Sequence, residues 1–218
     1  MTLIVDSLSH SYRRAQVLSG VYLSVSSGEV LGVVGRNGCG KTTMLRAMLG
    51  ALRPDHVHLT VHGRPVRRAY RHGELAYLPQ DPYLPRRLPV RKAIQLVLPN
   101  EEARERVRRH PRVEPLLDRR VASLAGGEQR LLEVLLASWF PSAYTLLDEP
   151  FTEIEPLHRA PLGDLIRDTA RRDQRGFIIT DHAYRDVLAV ADRVVVLAEG
   201  VIRPADGEDD LRRWGYTP

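Results

Sequence analysis

Cysteine is almost absent from this chain, with Cys39 alone among 218 residues. A single thiol excludes an internal disulfide framework and a metal cluster built from cysteines, and it suits a reducing compartment such as the cytosol. Lysine is nearly as scarce: Lys41 and Lys92 are the only two among 32 basic residues. No apolar run approaches the roughly 20 residues that a bilayer span requires. The longest, residues 131–140, is interrupted by Glu133 and reads as a core helix segment. The opening stretch "MTLIVDSLSHSY" lacks a basic start followed by an apolar run, so no signal peptide is expected. The formal net charge of +5 is modest and reads first as a solvated surface, so no nucleic-acid partner is expected.

What is present is an alternation of strands and helices. Residues 2–7, 21–26 and 29–34 read as strands. Residues 41–52 carry Met44, Leu45, Met48, Leu49 and Leu52 on one helical face, with Pro54 as the expected stop. Strands are predicted at 57–61 and 75–78, the second leading into the turn-rich "PQDPYLP". Residues 89–120 change character, rich in arginine and glutamate, and suit short helices near 90–98 and 101–109. A stronger helical pattern follows Gly126 and Gly127 and runs to Trp139. Then come "YTLLD", a helix near 162–172, "GFIIT", a short helix near 184–191 and "RVVVL". Two final strands or turns and a tail with Trp214 and Tyr216 close the chain. This alternation predicts an α/β fold with a mostly parallel sheet covered on both faces. The expected organisation is one domain: a core from residues 1–81 and 141–218, and a helical subdomain from 82–140.

Within "VVGRNGCGKTTML", Gly35, Gly40, Lys41 and Thr42 satisfy the pattern G-x-x-x-x-G-K-[ST], between a predicted strand and a predicted helix. Glycines clear side chains from the path of a phosphate and let successive amides point inward as an anion nest. The following helix start adds its positive dipole end. The amides of residues 37–42, which include Asn37, Gly38 and Cys39, would neutralise phosphate charge, with Thr43 next in line. Lys41 would reach the β and γ phosphates of a nucleotide, and Thr42 would bind Mg²⁺. Cys39 reads as a small loop residue whose thiol would make nucleotide binding sensitive to alkylation.

The apolar strand "YTLLDEP" ends in Asp148 and Glu149. An acid at the carboxyl end of a strand suits metal work in an α/β fold. Asp148 would hold Mg²⁺ through water, and Glu149 would orient or deprotonate an attacking water.

Phosphate loops occur in many unrelated nucleotidases, and "LAGGEQR", residues 124–130, separates them. Together with "LLDEP" it resembles the ATP-binding subunits of ABC transporters over residues 2–204. The resemblance implies the P-loop fold of the ABC ATPase type, with antiparallel N-terminal strands, a mostly parallel core and a small helical subdomain. It implies that Tyr12 stacks on adenine, that Gln80 senses Mg²⁺ and the transport partner, and that His182 in "IITDH" steadies the γ phosphate. Alone, Tyr12 reads equally as a half-buried strand end, Gln80 as a turn residue and His182 as a structural histidine. Leu124, Ala125, Gly126, Gly127 and Glu128 form the signature loop, which in the family closes on the nucleotide of a second ATPase subunit packed head to tail. Identical and different second subunits both remain open.

Two positions depart from the family pattern. Ala125 stands where serine is usual and cannot donate a hydroxyl bond, worth roughly 1.5–3 kcal/mol when charge-assisted. Glu155 in "PFTEIEP" stands where aspartate is usual, in a loop that communicates between the two sites. The expectation is a competent but slow ATPase, peripheral on the cytoplasmic face of the cell membrane, powering separate transmembrane permease subunits. A soluble ATPase of this type acting on nucleic acid or ribosomes, and a module that uses nucleotide only to assemble, are the rival readings.

Overall fold

The computed structural model describes residues 1–13, 15–205 and 207–214; Tyr216 lies outside them. The chain opens with a long antiparallel hairpin, β1 (Thr2–Tyr12) and β2 (Ala15–Ser26). Both strands outrun the predicted 2–7 and 21–26. Register shifts after Val5, Leu8 and His10 break the period of two on which a strand reading depends. With β4 (His56–Val61) and the two-residue β5 (Arg64–Pro65), the hairpin makes a four-stranded antiparallel sheet ordered β2-β1-β4-β5.

The second sheet carries the chemistry. Its strands are β3 (Val30–Val34), β6 (Leu75–Leu78), β7 (Tyr144–Asp148), β8 (Gly176–Thr180), β9 (Arg193–Ala198) and β10 (Val201–Ala205). They lie in the order β10-β9-β3-β8-β7-β6, parallel except for the edge pair β9–β10. Every residue of β3, β7 and β8 is buried, because a parallel sheet is covered on both faces.

The helix after β3, α1 (Lys41–Leu49), is shorter than predicted. Gly50, at φ 85°, caps it in the left-handed conformation and the amides of Ala51 and Leu52 turn back to Arg46 O, so Gly50 ends the helix and Pro54 does not. Two short helices, α2 (Val90–Val97) and α3 (Glu101–Arg108), precede α4 (Gly126–Trp139). The Asn100 side chain caps α3 by accepting from the Ala103 amide at 2.9 Å. The next helix, α5 (Pro156–Asp173), starts six residues before the predicted 162. Pro156 occupies its first position, where no N–H is needed, and Pro161 inside it masks the helical pattern. The last helices are α6 (Tyr184–Val190) and α7 (Glu208–Arg213). Among the described residues, one strand, β10, and one helix, α7, therefore follow β9.

Among the described residues three apolar clusters hold these layers, the smallest packing Val187 of α6 with Val34, Val194 and Val196. One, with Met44, Leu45, Met48 and Tyr144, fills the space between the antiparallel sheet, α1 and the inner face of the parallel sheet. Another, with Ile94, Val107, Leu132, Leu135 and Phe177, joins the helices of residues 90–139 to α5 and the opposite face.

Candidate nucleotide site

The site forms at the carboxyl ends of β3, β7 and β8, where backbone groups and helix starts face out of the sheet. Gly40 has φ 108° and precedes the first turn of α1. A residue with a side chain would be strained there, and an added Cβ would also meet Val17 at 2.9 Å. Lys41 is buried, and its ammonium donates to the carbonyls of Gly35 at 2.7 Å and Arg36 at 3.3 Å. The loop thus holds the Lys41 cation inside its own curve. A cleft of about 360 Å³ is lined by Asn37, Gly38, Gly40, Lys41, Thr42, Thr43, Gln80 and Glu149. Eight positions drawn from three distant parts of the sequence meet there, all of them among the residues expected at the site.

Asp148 is fully buried at the end of β7. Its Oδ1 accepts from Thr180 Oγ1 on β8 at 2.7 Å, and its Oδ2 accepts from the Tyr77 hydroxyl on β6 at 3.1 Å. Burial, and then the charge of Asp148, push the Tyr77 pKa well up, so the phenol stays a donor. Arg46 on α1 lies near Tyr77, whose phenol, more than the charge of Asp148, raises the Arg46 pKa.

Glu149 has left the strand, with φ 52°. Its amide donates to Thr180 O at 2.7 Å. Its Oε2 accepts from Gln80 Nε2 at 3.3 Å and Thr152 Oγ1 at 3.2 Å, and lies 3.4 Å from His182 Nδ1. Glu149, Gln80 and His182 thus meet at one oxygen. His182 is about half exposed. Beside it Asp181 is buried, accepting from the amides of Ala183 at 2.9 Å and Phe151 at 3.3 Å, and burial raises its pKa.

Sequence reasoning gave no role to Tyr77, Asp181 or Arg130. Arg130, in the second turn of α4, donates to the backbone carbonyls of Pro79 at 2.8 Å, Asp148 at 2.5 Å and Glu149 at 2.8 Å. It thereby ties the signature helix to the joint before Gln80 and to the end of β7. The sequence signal for Arg130 was its place as the last residue of "LAGGEQR". For Tyr77 it was a polar ring in the otherwise apolar "LAYL".

The other expected residues lie outside the phosphate cleft. Tyr12 stands at the tip of the hairpin, half exposed, its ring edge-on to His10 at 4.5 Å between centroids. Leu124 to Glu128 lead into α4. Ala125 has no side-chain oxygen, so half of a capping box forms, Glu128 Oε2 accepting from the Ala125 amide at 2.9 Å. Glu155 precedes α5 and lies 3.5 Å from His158 Nε2. With Ala125, Gly127 and Glu128, it lines a separate cavity of about 440 Å³. Cys39 lies within the phosphate loop, partly buried and not among the residues lining the cleft. Among the described residues no helix is long and apolar enough to cross a membrane.

A family model described as ABC transporter matches residues 18–152. The chain is 34% identical to the lipopolysaccharide export system ATP-binding protein LptB of Acidithiobacillus ferridurans, over 94% of this chain and 90% of that protein. It is 32% identical to LptB of Escherichia coli strain K12, over 91% and 88%, and 35% identical to an uncharacterized ABC transporter ATP-binding protein of Rhizobium meliloti, over 96% and 82%. A solved ATP-binding subunit of an ABC transporter superposes with a TM-score of 0.83 at 24% identity, over 99% of this chain and 94% of that one, which shows the shared fold. The chain belongs to the ABC-transporter ATP-binding family. It is an ATP-hydrolysing subunit that acts with membrane partners.

Proposed function

We propose that this chain drives its transporter by binding Mg²⁺ and ATP at the phosphate loop and closing head to tail on a second ABC ATPase subunit. The observation that carries this reading is the cleft joining residues 37–43 to Gln80 and Glu149. In it, Lys41 and the loop amides bind the phosphates, aided by the dipole of α1. The donors available suit Mg²⁺: the Thr42 hydroxyl, the Gln80 amide oxygen and an Asp148 carboxylate already bonded to Thr180 and Tyr77. That set is sparse, as expected of an ion that keeps waters and takes phosphate oxygens as ligands. Mg²⁺, when bound, offsets charge on the phosphate oxygens.

Glu149 is the residue that orients water. Gln80, Thr152 and His182 converge on one of its oxygens, which fixes the direction of the carboxylate. His182, exposed and adjacent, can donate to the γ phosphate. Catalysis is then positioning and electrostatics, with the protein fixing water, phosphate and leaving group in line. Tyr12 would stack on adenine, and Leu124 to Glu128 would face the nucleotide of the facing subunit.

The partners in this reading are separate transmembrane permease subunits docked on the helical subdomain near Gln80, with this chain peripheral at the cytoplasmic face of the membrane. The relatives supply the first cargo to test, a lipopolysaccharide or a similar glycolipid. Capture of the chain from native membranes in mild detergent should recover a multi-span protein. Recovery of ribosomal or DNA-repair proteins without one would reject the transporter partnership. In the assembled complex, Glu149→Gln should bind ATP, lose turnover and accumulate closed. Normal turnover in that variant would remove Glu149 from the mechanism.

A further inference from the structure

A cavity of about 400 Å³ opens between the phosphate loop, the β9–β10 hairpin and the end of α7. Arg36, Cys39, Glu199, Arg203, Arg213 and Trp214 are among its walls, and none of them lines the phosphate cleft. The fold brings them together from three directions. Arg36 and Cys39 belong to the loop after β3. Antiparallel pairing sets Arg203 of β10 opposite Val196 of β9. The helix α7 returns Trp214 to the sheet, where it packs against the cluster of Val34, Val194 and Val196. Its ring then carries two guanidiniums, Arg203 at 4.3 Å from the centroid and Arg213 at 5.5 Å.

Each guanidinium gains from the ring, but like charges held this close repel. The one acid in the walls, Glu199, is 88% exposed and 3.9 Å from Arg203, too solvated to offset them. Among the described residues no hydrogen bond or ion pair engages the side chains of Arg36 and Arg213. Arg203 Nε and Trp214 Nε1 are buried without a partner. Glu199 aside, the unmet side-chain groups of these walls are therefore donors, and a buried donor left unmet is costly.

We infer that this cavity binds a phosphate-bearing anion at a site separate from that of the nucleotide. Three guanidiniums and an indole N–H supply donors only, the complement of phosphate oxygens. The arginine fork matches phosphate with two bonds at once. The volume falls in the range of small-ligand sites. Arg36 adjoins both sites: it lines this cavity, and its carbonyl accepts from Lys41 Nζ at 3.3 Å. A soluble phosphate compound and the phosphate headgroup of an anionic lipid offer the same chemistry.

The test uses the full chain carrying Glu149→Gln, with saturating Mg-ATP to occupy the phosphate cleft. One arm titrates pyrophosphate by calorimetry. The other sediments the chain with phosphatidylcholine vesicles made with and without phosphatidic acid. Arg203→Gln and the exposed Arg213→Gln are each compared with Arg87→Gln, an exposed arginine outside the cavity. Binding should weaken about ten- to hundredfold in the two cavity variants and stay near the parent in Arg87→Gln. Arg203→Lys, which keeps the charge and loses the fork, should fall between. Pyrophosphate binding with these losses assigns a soluble ligand. Vesicle binding with these losses, dependent on phosphatidic acid and without a response to pyrophosphate, assigns the lipid headgroup. No binding in either arm, or binding that the cavity variants reduce no more than Arg87→Gln does, overturns the site. A loss of ATP affinity equal to the loss of pyrophosphate affinity would place both in the cleft and also overturns it.

Discussion

Tyr77 and Asp148 sit on adjacent parallel strands, and the hydroxyl of the first donates to Oδ2 of the second at 3.1 Å. The carboxylate proposed to hold Mg²⁺ is therefore oriented from both sides, by β6 through Tyr77 and by β8 through Thr180. Partners that orient a metal-binding group commonly matter about 10–100-fold in affinity. Tyr77→Phe removes one of them without changing the ring. The Mg²⁺ concentration for half-maximal ATPase activity should rise about tenfold, with little change in Mg-free nucleotide binding. An unchanged Mg²⁺ requirement would show that Thr180 alone suffices.

Arg130 is buried, donates to three backbone carbonyls and lies 3.6 Å from the equally buried Glu133. Burial lowers the Arg130 pKa and raises that of Glu133, and the pair offsets part of that burial cost. Arg130→Met would orphan the carbonyls and strand Glu133, destabilising the chain by about 3–5 kcal/mol. Adding Glu133→Gln should restore part of this. Thermal midpoints of the two single variants and the double variant measure the coupling; strictly additive losses would disprove it.

His110 packs its half-buried ring near Trp139, and burial, with Arg112 next, lowers its pKa below the usual 6.5. A base with a depressed folded pKa contributes stability that is present above 6.5 and is lost as pH falls through the folded value. The difference in unfolding free energy between the native chain and His110→Phe should be constant above neutrality. It should shift against the native chain as the pH falls through and below the ordinary histidine range. A difference independent of pH would exclude this residue as a source of acid sensitivity.

Burial pushes the Cys39 thiol up, with Lys41 pulling in the other direction as the smaller influence. Thiolate is the reactive form. Maleimide should therefore modify Cys39 more slowly than a free thiol at pH 7.5, and faster as pH rises. The thiol abuts the loop: a Cβ at Gly35 would lie 2.6 Å from Sγ. The adduct should abolish ATP binding, and bound ATP should slow the modification. Full ATP affinity in the modified chain would contradict this placement.

How much of this was legible in the sequence follows from how local each feature is. The phosphate loop is written in one stretch, strand to glycines to lysine, so Lys41 and Thr42 declared themselves. Asp148 and Glu149 did so as acids ending an apolar strand. Tyr77 acts on a residue 71 positions away and Arg130 on one 51 positions away, and no local pattern encodes either. The helix boundaries misread at 50 and 156 were decided by a left-handed glycine and by prolines. The gathering of Arg36, Arg203 and Arg213 around one cavity required the fold, because nothing in "GRNGCG" shows which strands that loop will meet.

The strand order carries a consequence for synthesis. β3, which launches the phosphate loop, is flanked by β8 and β9, so that Val33 pairs with Thr180 on one side and Val195 on the other. The ribosome makes the nucleotide loop early and its neighbours late. Both edges of β3 stay bare until about residue 180 has emerged and one edge until about residue 198, so the emerging polypeptide should be blind to ATP until then. Nascent or prematurely terminated products should then depend on chaperones and be open to proteases, with nucleotide unable to rescue them.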